Sequence, residues 1–177
     1  NRTIVPCPVT CATGLTEPGF EPPDVYATLN FKENGAPHGP SGMAFQGVGE
    51  ITCSLGEVKN RADLVIFWGS NPAESHPRHF TKYSLMPKGM FVPNGRKDRT
   101  AVLIDVRRTK SAKAVDIFLQ LKPRSDFELA WALRGLAKGI DVDPSIEEKT
   151  GISLETLKDV MDRMKAAKFG AILFGMG

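Results

Sequence analysis

Three short runs, LVIFW (Leu64 to Trp68), AVLI (Ala101 to Ile104) and AILF (Ala171 to Phe174), are apolar on consecutive residues, and each leads into a glycine or an acidic residue. A strand with no polar alternation has no side to turn toward water. It belongs inside a parallel sheet covered on both faces. Such strands can be joined only by crossovers, so the intervening sequence must supply helices.

The intervening sequence has that character. Ser54-Leu-Gly-Glu57 has capping-box spacing and predicts a short helix over Glu57 to Ala62, leading into the first strand. After that strand, Asn71 or Ser70 can cap a helix with Pro72 near its first position, continuing to about Leu85. Residues 87–100 read as loop, with Asn94-Gly95 a turn. The second strand ends at Asp105, RRTKSAKAV makes a turn and a short helix, and Ile117 to Leu121 gives another strand. Ser125 caps a helix to about Lys138 that stops at Gly139. Ser153 opens a further helix to Lys168, with Leu154, Leu157, Val160, Met161 and Met164 on one face. The fold class is therefore α/β, a mainly parallel, doubly wound (Rossmann-like) sheet.

Seven of the thirteen prolines fall in residues 1–40, which have neither a strand nor a helix period. That segment reads as irregular and Pro-rich, with the α/β unit occupying 41–177. The chain opens without Met and stops just after a strand has delivered a glycine turn, which reads as a partial chain. A net charge of +3 without a dense basic block argues against nucleic acid as partner. No apolar run approaches the roughly 20 residues of a membrane span. Three cysteines, Cys7, Cys11 and Cys53, cannot all pair, and the reading is a reducing cytoplasm.

Ligands of doubly wound sheets bind outside the carboxyl ends of the strands. That rule places Gly69 to Asn71, Asp105 to Thr109, Lys122 to Asp126 and Gly175 to Gly177 along one rim. A glycine after a buried strand lets backbone approach a ligand, and amides at a helix start suit phosphate. Asp105 stands where an acidic residue commonly holds a ribose hydroxyl, and Arg107 and Arg108 offer phosphate forks. The first turn is not GxGxxG, so an ordinary NAD fingerprint is absent. The bland alternative is that Gly69 and Asn71 only make a turn and Asp105 only caps the next segment. His76 and His79 lack the third and fourth ligands that a zinc site needs, and no metal ligand is assigned. Cys7 and Cys11 are likewise too few for an iron–sulfur cluster.

Two stretches carry a resemblance: HGPSGMAFQGVGEITCSLGEVKNRADLVIFWGSNPAESHPRHFTKYS and LIDVRRTKSAKAVDIFLQLKPRSDFEL. From about His38 to Gly177 the chain resembles the catalytic B subunits of formylmethanofuran dehydrogenase, within the molybdopterin oxidoreductase superfamily. The resemblance implies a bis-molybdopterin (or tungstopterin) guanine dinucleotide carrying Mo or W. It also implies reduction of CO2 to formate for formylmethanofuran synthesis in methanogenesis, with a 4Fe–4S cluster in the full-length protein. The implied partners are the iron–sulfur subunits that deliver electrons and a hydrolase subunit that condenses formate with methanofuran. By position, Gly69, Ser70, Asn71 and Pro72 would face the dinucleotide, with His76 near it. Asp105, Arg107 and Thr109 would take the nucleotide end, Ser125 and Asp126 the guanine, and Gly175 and Gly177 the next cofactor-lining turn. His38 would stand beside the metal as the catalytic proton donor or hydrogen-bonding group.

The chain departs from that pattern at two places. Pro37 stands where the family has the metal-ligating Cys, and Arg124 replaces the usual Gly of the turn before Asp126. A proline offers no ligand atom, whereas a thiolate would complete the soft-donor sphere of the metal. Two alternatives therefore stay open: a metal-free homologue acting as scaffold in a formyltransferase/hydrolase complex, and a generic Rossmann-type nucleotide-binding module.

Overall fold

A computed structural model describes residues 53–174, and the expected irregular segment over 1–40 lies outside them. The chain forms α1 (Leu55–Arg61), β1 (Leu64–Trp68), α2 (Pro72–Ser75), a π-helical turn (Phe80–Ser84) and a 3-10 turn (Gly95–Asp98). It continues with β2 (Thr100–Asp105), a second 3-10 turn (Lys110–Lys113), β3 (Ile117–Gln120), α3 (Asp126–Ala137), α4 (Ser145–Thr150), α5 (Leu154–Ala166) and β4 (Gly170–Phe174).

The four strands among the described residues are all parallel, in the order β3-β2-β1-β4. Val65 pairs with Ala101 on one side and Ala171 on the other, so β1 lies inside the sheet. Alternation then divides its side chains between two cores. Leu64 and Ile66 join Val102, Ile104, Leu119 and the buried faces of α3, α4 and α5. Val65 and Phe67 join Ala101, Leu103, Val58 of α1, Phe80 of the π turn and Ala112. Both faces are covered over β1 and β2, which makes the sheet doubly wound and explains why those strands show no polar alternation. Among the described residues β4 lies at the edge and leaves Ile172 and Phe174 exposed, which corrects the expectation that AILF is buried on both sides. Each fully buried aliphatic side chain, such as Leu103 or Leu129, contributes roughly 1.5–3 kcal/mol.

The crossovers from β1 to β2 and from β2 to β3 pack on one face, and α3 to α5 carry the chain back over the other to β4. The strand order therefore reverses beside β1, and the turns that follow β1, β2 and β3 share one edge of the sheet.

Local signals explain most boundaries. Ser54 and Glu57 form both halves of the capping box: the Ser54 side chain accepts from the Glu57 amide, and the Glu57 carboxylate accepts from the Ser54 amide. Gly95 takes a left-handed φ of +64°, and a Cβ there would meet the Met86 carbonyl oxygen at 2.7 Å, so the expected Asn94-Gly95 turn needs its glycine.

Two helix ends are corrected, and one helix is new to the reading. The helix expected from Pro72 to Leu85 stops at Ser75, because His76 precedes Pro77 and adopts φ −138°, ψ 72°, outside the helical region. The chain then resumes as the π turn. The last helix ends at Ala166 rather than Lys168, where the Asp63 carboxylate accepts hydrogen bonds from the Lys168 and Phe169 amides at 2.8 and 2.9 Å and ties the start of β4 to the start of β1. A third helix on the α3 face, α4, was not foreseen; it is six residues long and closes on Gly151.

Candidate functional site

The turn after β1 is built around Gly69, whose φ of +56° is the left-handed conformation that glycine adopts without cost. Its amide donates to the Ile104 carbonyl at 2.8 Å, which fixes the turn to the tip of β2. Ser70 and Asn71 follow, both half-buried. Pro72 occupies the first turn of α2, as the spacing predicts.

The expected cap by an Asn71 or Ser70 side chain is replaced by a longer-range arrangement. Asn71 sits at the N-cap position, but its side chain makes no cap bond. Its Nδ2 donates to the Glu74 carboxylate instead, and its Oδ1 accepts from Ser111 Oγ at 2.7 Å. Ser111 Oγ in turn accepts from the Ala73 amide at 3.1 Å. A residue of the β2–β3 crossover thus does the work of the cap. Lys110 pairs with Glu74 at 2.9 Å, and that contact holds the Glu74 carboxyl below the usual carboxylate range. With only four residues, α2 contributes little macrodipole, so any anion here would be held by turn amides and side chains.

Asp105 ends β2 and accepts from the Arg107 amide at 3.1 Å, a local turn bond through one of its two oxygens. Arg107 is exposed, whereas the Arg108 guanidinium lies 5.4 Å from the centroid of the Phe118 ring. Thr109 opens the second 3-10 turn, and its Oγ1 is shielded from solvent without a hydrogen-bond partner among the described residues. Orphaned hydroxyls of this kind are uncommon in folded chains.

Beyond β3, Ser125 is buried at the N-cap position of α3. It does not cap the helix; its Oγ donates to the Lys122 carbonyl at 2.6 Å. Asp126 is the first residue of α3, and its Oδ1 accepts from Trp68 Nε1 at 2.7 Å, across from the tip of β1. The preceding Arg124 has φ +66°, so the position where the resemblance expects glycine is left-handed and carries a side chain. Arg124→Gly is expected to stabilise the chain by about 0.5–1 kcal/mol. The left-handed conformation costs a side-chain-bearing residue roughly 1–2 kcal/mol, offset by glycine's extra unfolded-state entropy of about 0.5–1 kcal/mol. A higher urea midpoint with unchanged slope would show it.

His76 is exposed, with Nδ1 2.9 Å from Ser75 Oγ, and its ring meets that of His79 edge-on at 6.4 Å. His79 packs against Phe67 and places Nδ1 2.9 Å from Ser84 Oγ; burial, and then the neighbouring His76, lower its pKa. Among the described residues no group of three or more His, Cys, Asp or Glu could hold a metal ion. His38, Gly175 and Gly177, together with Cys7, Cys11 and Pro37, lie outside the described residues. Among the described residues no helix is long and apolar enough to cross a membrane.

The structure thus places residues 69–71, 105–109 and 125–126 after adjacent strands, with two side-chain bonds tying them together, Ser111 to Asn71 and Trp68 to Asp126. Trp68 and Ser111 were not anticipated. The only local hint of Trp68 is a ring with a polar edge at the end of a buried strand. A separate pocket of about 650 Å³ lies along α3 and α4, lined by Phe127, Trp131, Gly135 and Ile140 among others; none of the strand-end residues borders it.

No family model matches the chain. Over 140 residues, 79% of its length, it is 47% identical to the B subunit of the tungsten-containing formylmethanofuran dehydrogenase 2 of Methanococcus maripaludis. The corresponding protein of Methanocaldococcus jannaschii is 45% identical over the same number of residues. Formate dehydrogenase H of Escherichia coli is 26% identical over 169 residues. The chain spans about a third of the first two relatives (32%) and 22% of the last.

Proposed function

We propose, from the premise that this chain is the counterpart of one third of a formylmethanofuran dehydrogenase B subunit, that it is the dinucleotide-holding part of a CO2-reducing catalytic subunit. The observation that carries the reading is the joining of three strand-end turns by side-chain bonds, in a chain 47% identical to its tungsten-containing relative. Such identity argues against a generic nucleotide-binding module.

The described residues fit the nucleotide end of a pterin guanine dinucleotide. Thr109 has a shielded hydroxyl without a partner among the described residues, Gly69 makes a left-handed turn with no Cβ to stand in a ligand's way, and Asp126 has an oxygen, Oδ2, with no bond among the described residues. In this reading Gly69, Ser70, Asn71 and Pro72 face the dinucleotide, with His76 beside it. Asp105 accepts from ribose hydroxyls, and Arg107 and Thr109 donate to phosphate. Ser125 and Asp126 hold the guanine, and Gly175 and Gly177 line the next turn. The cofactor, when bound, supplies a Mo or W centre able to exchange electrons with a one-carbon substrate. His38 is assigned to hold or deliver a proton there, while the other subunits supply electrons through iron–sulfur clusters and take up the formate.

Pro37 favours a second reading, a metal-free homologue whose fold survives as a scaffold. The test is to purify the complete gene product with its partners, hydrolyse it in acid, and quantify released GMP together with Mo and W. Stoichiometric GMP with metal supports the dehydrogenase. Absence of both overturns it and leaves the scaffold.

A further inference from the structure

We propose that Trp68 is a positioning residue that sets guanine selectivity through Asp126, an inference that rests on the guanine reading of that carboxylate. Asp126 lies at the exposed start of α3, and its terminal torsion is of the broad, weakly restrained kind. Left alone, such a carboxylate samples many planes.

Trp68 removes that freedom. The ring ends β1 and packs, partly buried, against the core cluster formed by the sheet and α3, α4 and α5. Its backbone is held in register between Ile104 of β2 and Phe174 of β4. From this fixed base Nε1 donates to Asp126 Oδ1 at 2.7 Å, the only side-chain hydrogen bond that Asp126 makes among the described residues. An indole can only donate, so it favours a carboxylate oxygen over an amide nitrogen. A carboxylate offers about four lone-pair sites; the indole takes one, leaving the rest of Oδ1 and all of Oδ2.

Guanine presents two adjacent donors, N1–H and the N2 amino group, and needs two oxygens in one plane to satisfy both. Hypoxanthine keeps only N1–H, and adenine has neither in that arrangement. Fixing the carboxylate plane in advance therefore rewards the second donor, because the ordering cost has already been met by the fold.

The test uses the full-length protein stripped of cofactor, with GDP, IDP and ADP as probes in equilibrium titrations. The unaltered protein is expected to bind GDP more tightly than IDP and ADP. Trp68→Phe keeps a ring but loses the donor, and should reduce the GDP-over-IDP preference by about tenfold, the fold-change expected for one hydrogen bond to a charged group, while affinity for IDP changes little. An unchanged preference in Trp68→Phe overturns the role of Trp68 and leaves the guanine reading standing. No preference for GDP over ADP in the unaltered protein overturns the guanine reading and the inference together. Should the phenylalanine variant not fold, benzothienylalanine at position 68, which puts sulfur in place of N–H at nearly the same size, carries the same two outcomes.

Discussion

Arg99→Met is expected to abolish folding, or to cost about 4 kcal/mol or more, out of the roughly 5–15 kcal/mol that holds a domain together. Arg99 precedes β2 and is 4% exposed, yet among the described residues no carboxylate hydrogen-bonds its guanidinium. It donates to four backbone carbonyls instead: Lys59 and Ala62 at the end of α1, and Leu85 and Pro87 after the π turn. The contacts to Ala62 and Leu85 are 3.0 and 2.9 Å. Two segments distant in sequence are thereby fastened to the entrance of β2. A methionine fills much of the volume but leaves four acceptors in the interior, each costing about 1–3 kcal/mol when unpaired. Water entering the gap would recover part of that sum. Arg99→Lys should lose about 2–3 kcal/mol, because a single ammonium cannot reproduce the spread of a guanidinium fork. Urea unfolding of the full chain followed by circular dichroism measures both, and a loss below about 1 kcal/mol for Arg99→Met would refute the account.

Ser111→Ala is the second large effect, expected to cost about 2–3 kcal/mol and to loosen the β1 turn. Ser111 has no solvent exposure, and its hydroxyl serves two partners at once, donating to Asn71 Oδ1 and accepting from the Ala73 amide. Truncation strands one acceptor and one donor, each worth roughly 1–1.5 kcal/mol in such a setting. If the bond to Asn71 is the means by which the β2–β3 crossover orders the turn, Ser111→Ala and Asn71→Ala will not be additive. A double-mutant cycle should show about 1–2 kcal/mol of coupling. GDP affinity should fall in both single variants and fall no further in the double variant.

The strands were legible because a buried parallel strand announces itself by consecutive apolar residues, and Leu64–Trp68 and Thr100–Asp105 are of that kind. The rim followed from topology: once the strands are parallel, residues 69–71, 105–109 and 125–126 must share an edge. What the sequence hid is pairing across distance. Nothing local tells that Ser111 caps α2 in place of Asn71, or that Trp68 reaches Asp126. Those bonds depend on which crossover covers which face. The overlong helix after β1 was expected from its cap and from Pro72 alone, and it had a readable warning in His76, which as the residue before Pro77 is pushed out of the helical region. The six-residue α4 is too short for a periodic signal to emerge from SIEEKT.

The Asp63 clasp on Lys168 and Phe169 has a consequence for synthesis on the ribosome. The carboxylate beside β1 waits for amides 105 and 106 residues further along, so one edge of β1 stays unpaired while most of the unit is being made. Closing so long a loop is slow, and a nascent chain in that condition invites pairing with the wrong strand. The order of events is then set by translation: β1, β2 and β3 can associate early, and arrival of β4 is the step that completes the sheet.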